Sequence, residues 1–165
     1  MVRISQSPIH SRLGMVSIPL ALILLGSALS PAPAAAQRKP KAEEEAPVFS
    51  DYRGIQIGMT TDDVHKKLGR PKEKDDTRDF FAFGDNESLQ VVYDAAHKVA
   101  TVSVDFLSGA ADVPAARKVV GSDVEAKADG SMYKMVRYPK AGYWVSYYRG
   151  GGDAPMTSVT MQKIE

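Results

Sequence analysis

Residues 55–71 spell out a short helix with both of its ends marked, and no other run in the chain constrains the fold as tightly. Thr60 has the hydroxyl of a helix N-cap, able to accept from a backbone N–H that has no partner inside the helix. Asp63, three residues on, is placed to return the bond as a short capping box, and Met59 to staple onto Val64 across the cap. Asp62 and Asp63 sit at the positive end of the helix dipole, Lys66 and Lys67 at the negative end. Gly69 offers a left-handed closing residue, and Pro71 forbids continuation. The helix is therefore expected to be brief, and the chain past Pro71 must take up another structure.

The first 36 residues read as a secretory signal peptide. Arg3 and Arg12 supply the positive end, residues 13–25 form an uncharged apolar run, and Ala34, Ala35 and Ala36 give the small residues that a signal peptidase accepts. A membrane anchor is the competing reading, but the run is shorter than the ~20 residues that span a bilayer, and prolines interrupt the segment. Cleavage near Ala36 predicts a mature start at Gln37 and a periplasmic or secreted protein. Residues 37–50, a basic patch followed by three glutamates between Pro40 and Pro47, are too polar to bury apolar area and read as a disordered linker.

Cysteine is absent from the chain, which excludes disulfides, thiolate metal sites and a cysteine nucleophile. It also excludes a lipid anchor on an N-terminal cysteine. Loss of Arg3 and Arg12 with the signal leaves 19 basic residues against 20 acidic ones, a balance that does not suggest a nucleic-acid partner. About 110 residues then remain for folding, enough for one hydrophobic core.

Beyond Pro71 a charged loop at 72–77 leads to strand-like segments at 80–83, 89–93 and 99–106. In the last of these Val102, Val104 and Phe106 face one way while Thr101, Ser103 and Asp105 face the other. After a second helix pattern at 113–121, with Pro114 near its start and Gly121 at its end, strands recur at 132–138, 143–148 and 157–164. Gly69 precedes Val91 by 22 residues and Gly121 precedes Val145 by 24, so helix end and middle strand repeat in near register. The expected fold is therefore α+β, two-layer, with short helices packed on one face of an antiparallel sheet and two αβββ units at 51–108 and 109–165. One αβββ unit with an unrelated α/β extension of the same sheet is the alternative. The expected core holds Val64, Leu68, Phe81, Phe83, Leu89, Val91, Val102, Val104, Val145, Val159 and Met161.

Ile57, Gly58, Met59 and Thr60, then Val64, Leu68, Gly69 and Pro71, then an aromatic strand and Val91, Val92, Tyr93, Asp94 and Val99, together resemble the SmpA/OmlA family of envelope proteins. The resemblance spans residues 55–104. It implies a small α/β domain acting as an accessory of outer-membrane assembly, binding other envelope proteins. The same pattern is similar to tandem domains of the β-lactamase inhibitor type, which implies a secreted enzyme inhibitor as the second possibility. Family members of the assembly machinery carry a lipidated cysteine, and this chain has none; its second half also extends past the single-unit domain.

Catalysis has little to build on. His65 falls on the short helix among charged residues and is expected to be exposed, and His97 falls in a turn. Asp62 and Asp63 are accounted for by capping, Asp75 and Asp76 by a charged loop. Gly150, Gly151 and Gly152 lack the Lys-Ser/Thr pair of a phosphate loop. The chain is thus read as non-enzymatic, with no catalytic residues, cofactor or metal. A binding surface is better marked. Strand parity separates Tyr143, Val145 and Tyr147 from Trp144, Ser146 and Tyr148. With the Val145 set in the core, Trp144 and Tyr148, with Arg149 beside them, have the composition of a partner-binding hot spot. The competing reading buries the single tryptophan.

Overall fold

The computed structural model describes residues 46–165, so the signal peptide expected at 1–36 and most of the linker expected at 37–50 lie outside the described residues. Helix α1 (Thr61–Leu68) forms where its caps predict. Thr60 accepts from the Asp63 N–H at 3.2 Å, and its hydroxyl donates to the Asp63 carboxylate at 2.8 Å. The carboxylate thus returns its bond to the hydroxyl and not, as in a capping box, to the backbone N–H. Gly69 closes the helix at positive φ, its N–H bonded to the His65 carbonyl. Backbone bonds from Val99 N–H to Met59 and from Gly58 N–H to Val99, each 2.8 Å, pin the approach to the helix onto the start of a strand.

The remaining elements are β1 (Glu73–Lys74), β2 (Arg78–Ala82), β3 (Glu87–Tyr93), β4 (Val99–Phe106), α2 (Ala116–Val120), β5 (Met132–Tyr138), β6 (Tyr143–Arg149) and β7 (Thr157–Lys163). All seven strands join one antiparallel sheet in the order β1-β2-β3-β4-β7-β6-β5. The last strands of the two halves, β4 and β7, pair at the centre, and the order reads outward symmetrically from that seam through β3 and β6 to β2 and β5. The charged loop expected at 72–77 contributes the two-residue β1 as an edge.

This architecture corrects the expectation of a two-layer α+β fold. The described residues are predominantly β: the helices among them are eight and five residues long. At 1.5 Å per residue they extend about 12 and 7.5 Å, whereas seven strands about 4.8 Å apart span close to 30 Å. Helices of that size cannot make a layer over such a sheet. Much of the cover comes instead from irregular chain, with Ile55 fully buried and Phe49, Tyr52, Ile57 and Met59 packed against the core.

Register explains the core. Val91, Val102, Met161 and Val145 lie opposite one another in succession across β3, β4, β7 and β6, and each is at most 1% exposed. Leu89, Val104, Val159 and Tyr147 make the next row. Of the expected core, Val64, Phe81, Leu89, Val91, Val102, Val104, Val145, Val159 and Met161 are buried, while Leu68 and Phe83 are partly buried against it. Ile55, Val99, Val119 and Val120, with the aromatic residues Tyr93, Phe106, Tyr138, Tyr143 and Tyr147, are buried with them. The triple glycine has a packing role: a Cβ on Gly151 would sit 1.9 Å from the Asp129 carbonyl oxygen, so the loop at 150–153 can lie against the turn at 127–131 only without a side chain there.

Candidate protein-binding face

The face of the sheet turned away from this core is built by the alternate residues of each strand. On β6 these are Trp144, Ser146 and Tyr148; on the neighbouring β5 they are Tyr133, Met135 and Arg137, paired as Tyr133 with Tyr148, Met135 with Ser146 and Arg137 with Trp144. Towards the centre β7 presents Ser158, Thr160 and Gln162, and β4 presents Thr101, Ser103 and Asp105. The middle is polar and internally bonded: Ser103 and Thr160 hydroxyls lie 3.0 Å apart, and Ser158 donates to Asp105. The flank over β5 and β6 is aromatic and apolar. Tyr133 is 51% exposed, Met135 42% and Tyr148 39%, and Trp144 is half-buried beside them.

The residues singled out by strand parity are therefore divided. Trp144 and Tyr148 share the open face, as parity requires. Arg149 follows Tyr148 in the strand and points to the opposite side, where with Leu107, Val113, Tyr147 and Pro155 it lines an open cleft of about 370 Å3. Adjacent residues of a strand cannot serve one face. The aromatic and apolar group on the open face thus consists of Trp144 and Tyr148 together with Tyr133 and Met135. Neither of the latter two is among the residues expected from the sequence, although the same parity applied to 132–138 marks both.

A second polar constellation lies on the core side. Asp79, 2% exposed, accepts from the Tyr93 hydroxyl at 2.6 Å and faces His65 Nε2 at 2.7 Å on the same carboxylate oxygen. A carboxylate that accepts from both partners places the Nε2 proton between ring and oxygen and orients the imidazole. His65 is accordingly not a free surface residue, contrary to the expectation from its charged neighbours. The local signal is the alternation Arg78-Asp79-Phe80-Phe81: once the strand is begun at Arg78, Asp79 shares the buried side with Phe81 and needs a partner. Beside this network, Gly69, Arg70, Pro71 and Lys74 form a shallow depression with His65. The bonds tie α1 to β2 and β3, which is the work of a structural clamp.

Burial, then the hydrogen bond to Asp79, pushes the Tyr93 hydroxyl well above the usual phenol range. Burial and the hydrogen bond to Glu87 push Tyr52 up to about 12. Folded-state values above the unfolded ~10 mean that both groups contribute stability fully below pH 10 and lose it as pH rises through the folded values. Urea midpoints are therefore expected to hold steady to about pH 9.5 and fall between pH 10 and 12. In a Tyr52→Phe, Tyr93→Phe variant that decline should be shallower. An identical decline in the variant would remove these two phenols as its cause.

Comparison with protein-family models, with curated proteins and with solved structures found no match to the chain.

Proposed function

We propose that this chain is an exported, non-enzymatic protein-binding module of the cell envelope that engages its partner through the open face of the sheet. The observation that carries the reading is the aromatic flank over β5 and β6. Tyr133, Met135 and Tyr148 are left in water on strands whose other side packs against the core, fully on β6 at Tyr143, Val145 and Tyr147 and partly on β5, with Trp144 half-buried among them. Exposed Tyr, Trp and Met concentrated on one patch, next to a polar region that keeps its hydrogen bonds internal, is the composition of an interface core with a polar rim. The motif resemblance over residues 55–104 supports an envelope partner, and the role it suggests is that of an accessory in outer-membrane assembly. Capture from envelope extract with the mature chain as bait tests this reading. Recovery of β-barrel assembly components is the expected result, and recovery of a soluble enzyme would instead make the chain a secreted inhibitor using the same face.

Export is part of the proposal. Cleavage near Ala36 should release a soluble chain beginning at or near Gln37 into the periplasm or the medium, without a lipid anchor, since the chain has no cysteine to carry one. N-terminal sequencing of exported protein is expected to read from Gln37. Uncleaved protein held in the membrane fraction against salt extraction would contradict it.

A further inference from the structure

Strand β5 is the outer strand of the sheet on the side opposite β1, and it is built unlike a protected edge. Folded proteins blunt such edges with short strands, bulges, proline or charged side chains, lysine above all, because the outward backbone groups are a template for another strand. The opposite edge obeys that rule, since β1 has two residues. By contrast β5 runs seven residues in unbroken register with β6, from Met132 opposite Arg149 to Tyr138 opposite Tyr143, without proline; of its two cations, Lys134 is held by the Ser122 hydroxyl and Arg137 stands on the open face. No backbone hydrogen bond from another described segment closes its outer side along 132–137.

We propose that β5 pairs with β5 of a second copy of this chain, antiparallel about a two-fold axis through Met135, joining two sheets into one. The choice of a second copy rests on charge and register. A two-fold axis perpendicular to the sheet keeps side-chain faces matched only when it passes through a residue. Overlap of all seven residues requires that residue to be Met135. On the open face Tyr133 then lies opposite Arg137 of the second copy, twice, around a central pair of Met135 side chains. Arginine across from an exposed tyrosine is a favourable cation–π partner. On the other face Lys134 lies opposite Val136 of the second copy, with its ammonium bonded to Ser122 at 2.6 Å. Centring one residue earlier would set Lys134 against Lys134, and two residues later Arg137 against Arg137. The full-length register avoids both like-charge pairings.

A single pair of seven-residue strands buries less than a standard interface, so a dimer with a Kd on the order of 10–100 μM is expected. Sedimentation of the mature chain from about 5 to 500 μM should show a reversible monomer–dimer equilibrium in that range. Met135→Lys sets two ammonium groups at the axis and should weaken the dimer at least tenfold. Tyr133→Lys should weaken it as well, whereas Tyr133→Glu, which faces Arg137 of the second copy, should tighten it. Met156→Lys, an exposed methionine outside the strands, should leave it unchanged. All the substituted side chains are solvent-exposed, so melting temperatures should agree within a few degrees, and a variant that fails this is replaced by the Ser substitution at the same site. A chain that stays monomeric to 500 μM overturns the proposal. So does a dimer indifferent to Met135→Lys, or one that responds alike to Tyr133→Lys and Tyr133→Glu.

Discussion

Replacing Met161 by alanine is expected to destabilise the protein by about 2–5 kcal/mol, and to do so for both halves of the chain at once. Met161 is fully buried on β7, opposite Val102 of β4 on one side and Val145 of β6 on the other. It therefore sits on the seam where the two halves meet. Truncation removes three heavy atoms from a site walled by β-branched side chains with stiff rotamers, which limits how far the cavity can collapse. Six consecutive pairs, Thr101 with Gln162 through Phe106 with Thr157, cross this seam. A continuous sheet of this kind should unfold in one transition. The single tryptophan, Trp144, reports on the second half, while far-UV circular dichroism reports on the whole sheet. The two probes should give the same urea midpoint in the native protein and in Met161→Ala. Separate midpoints would show two independent units, and a loss below 1 kcal/mol would show that the seam is not tightly packed.

The second large effect is on binding. Trp144→Ala should weaken capture of the proposed partner at least tenfold, or about 1.4 kcal/mol, while changing stability by about 1 kcal/mol or less. The two parts of that expectation have one origin. Trp144 stands on the open face between Arg137 and Gln162, outside the buried set that begins with Tyr143 and Val145. What the indole still exposes to water is available to a partner and is not needed by the fold. Arg149→Ala provides the contrast, since that side chain points to the cleft on the other side of the sheet. It should leave capture within about twofold, well short of the loss expected for a hot-spot truncation. If Arg149→Ala abolishes capture and Trp144→Ala does not, the binding surface is the cleft.

Much of the sheet is legible in the sequence because period-two alternation is a local property. Val102, Val104 and Phe106 against Thr101, Ser103 and Asp105 need no tertiary information, and the same parity assigns Tyr143, Val145 and Tyr147 to the core. Helix caps are equally local, and α1 begins at the residue after Thr60. Local pattern does not reveal how the face is covered. Two helical patterns suggest a helical layer, but their lengths against the width of a seven-stranded sheet decide that question, and the width depends on β4 pairing with β7 across more than fifty residues. The same limit applies to Asp79. Its need for His65 and Tyr93 arises only when β2 begins at Arg78, two residues before its aromatic pair. Arg149 departs from its expected place for a simpler reason, since proximity in sequence to Tyr148 is not proximity on a face. In a strand those two are opposed.

Side-chain oxidation footprinting tests the docking face most directly, because Trp, Tyr and Met are its most reactive residues and they concentrate there. The mature chain, kept dilute, would be compared free and saturated with its captured partner. Protection is expected at Trp144, Tyr148, Tyr133 and Met135, with Leu107 and Val113, both exposed and lining the cleft on the other side of the sheet, labelled equally in the two samples. Protection of Leu107 and Val113 with Trp144 and Tyr148 unchanged would contradict the assignment of function to the open face of the sheet.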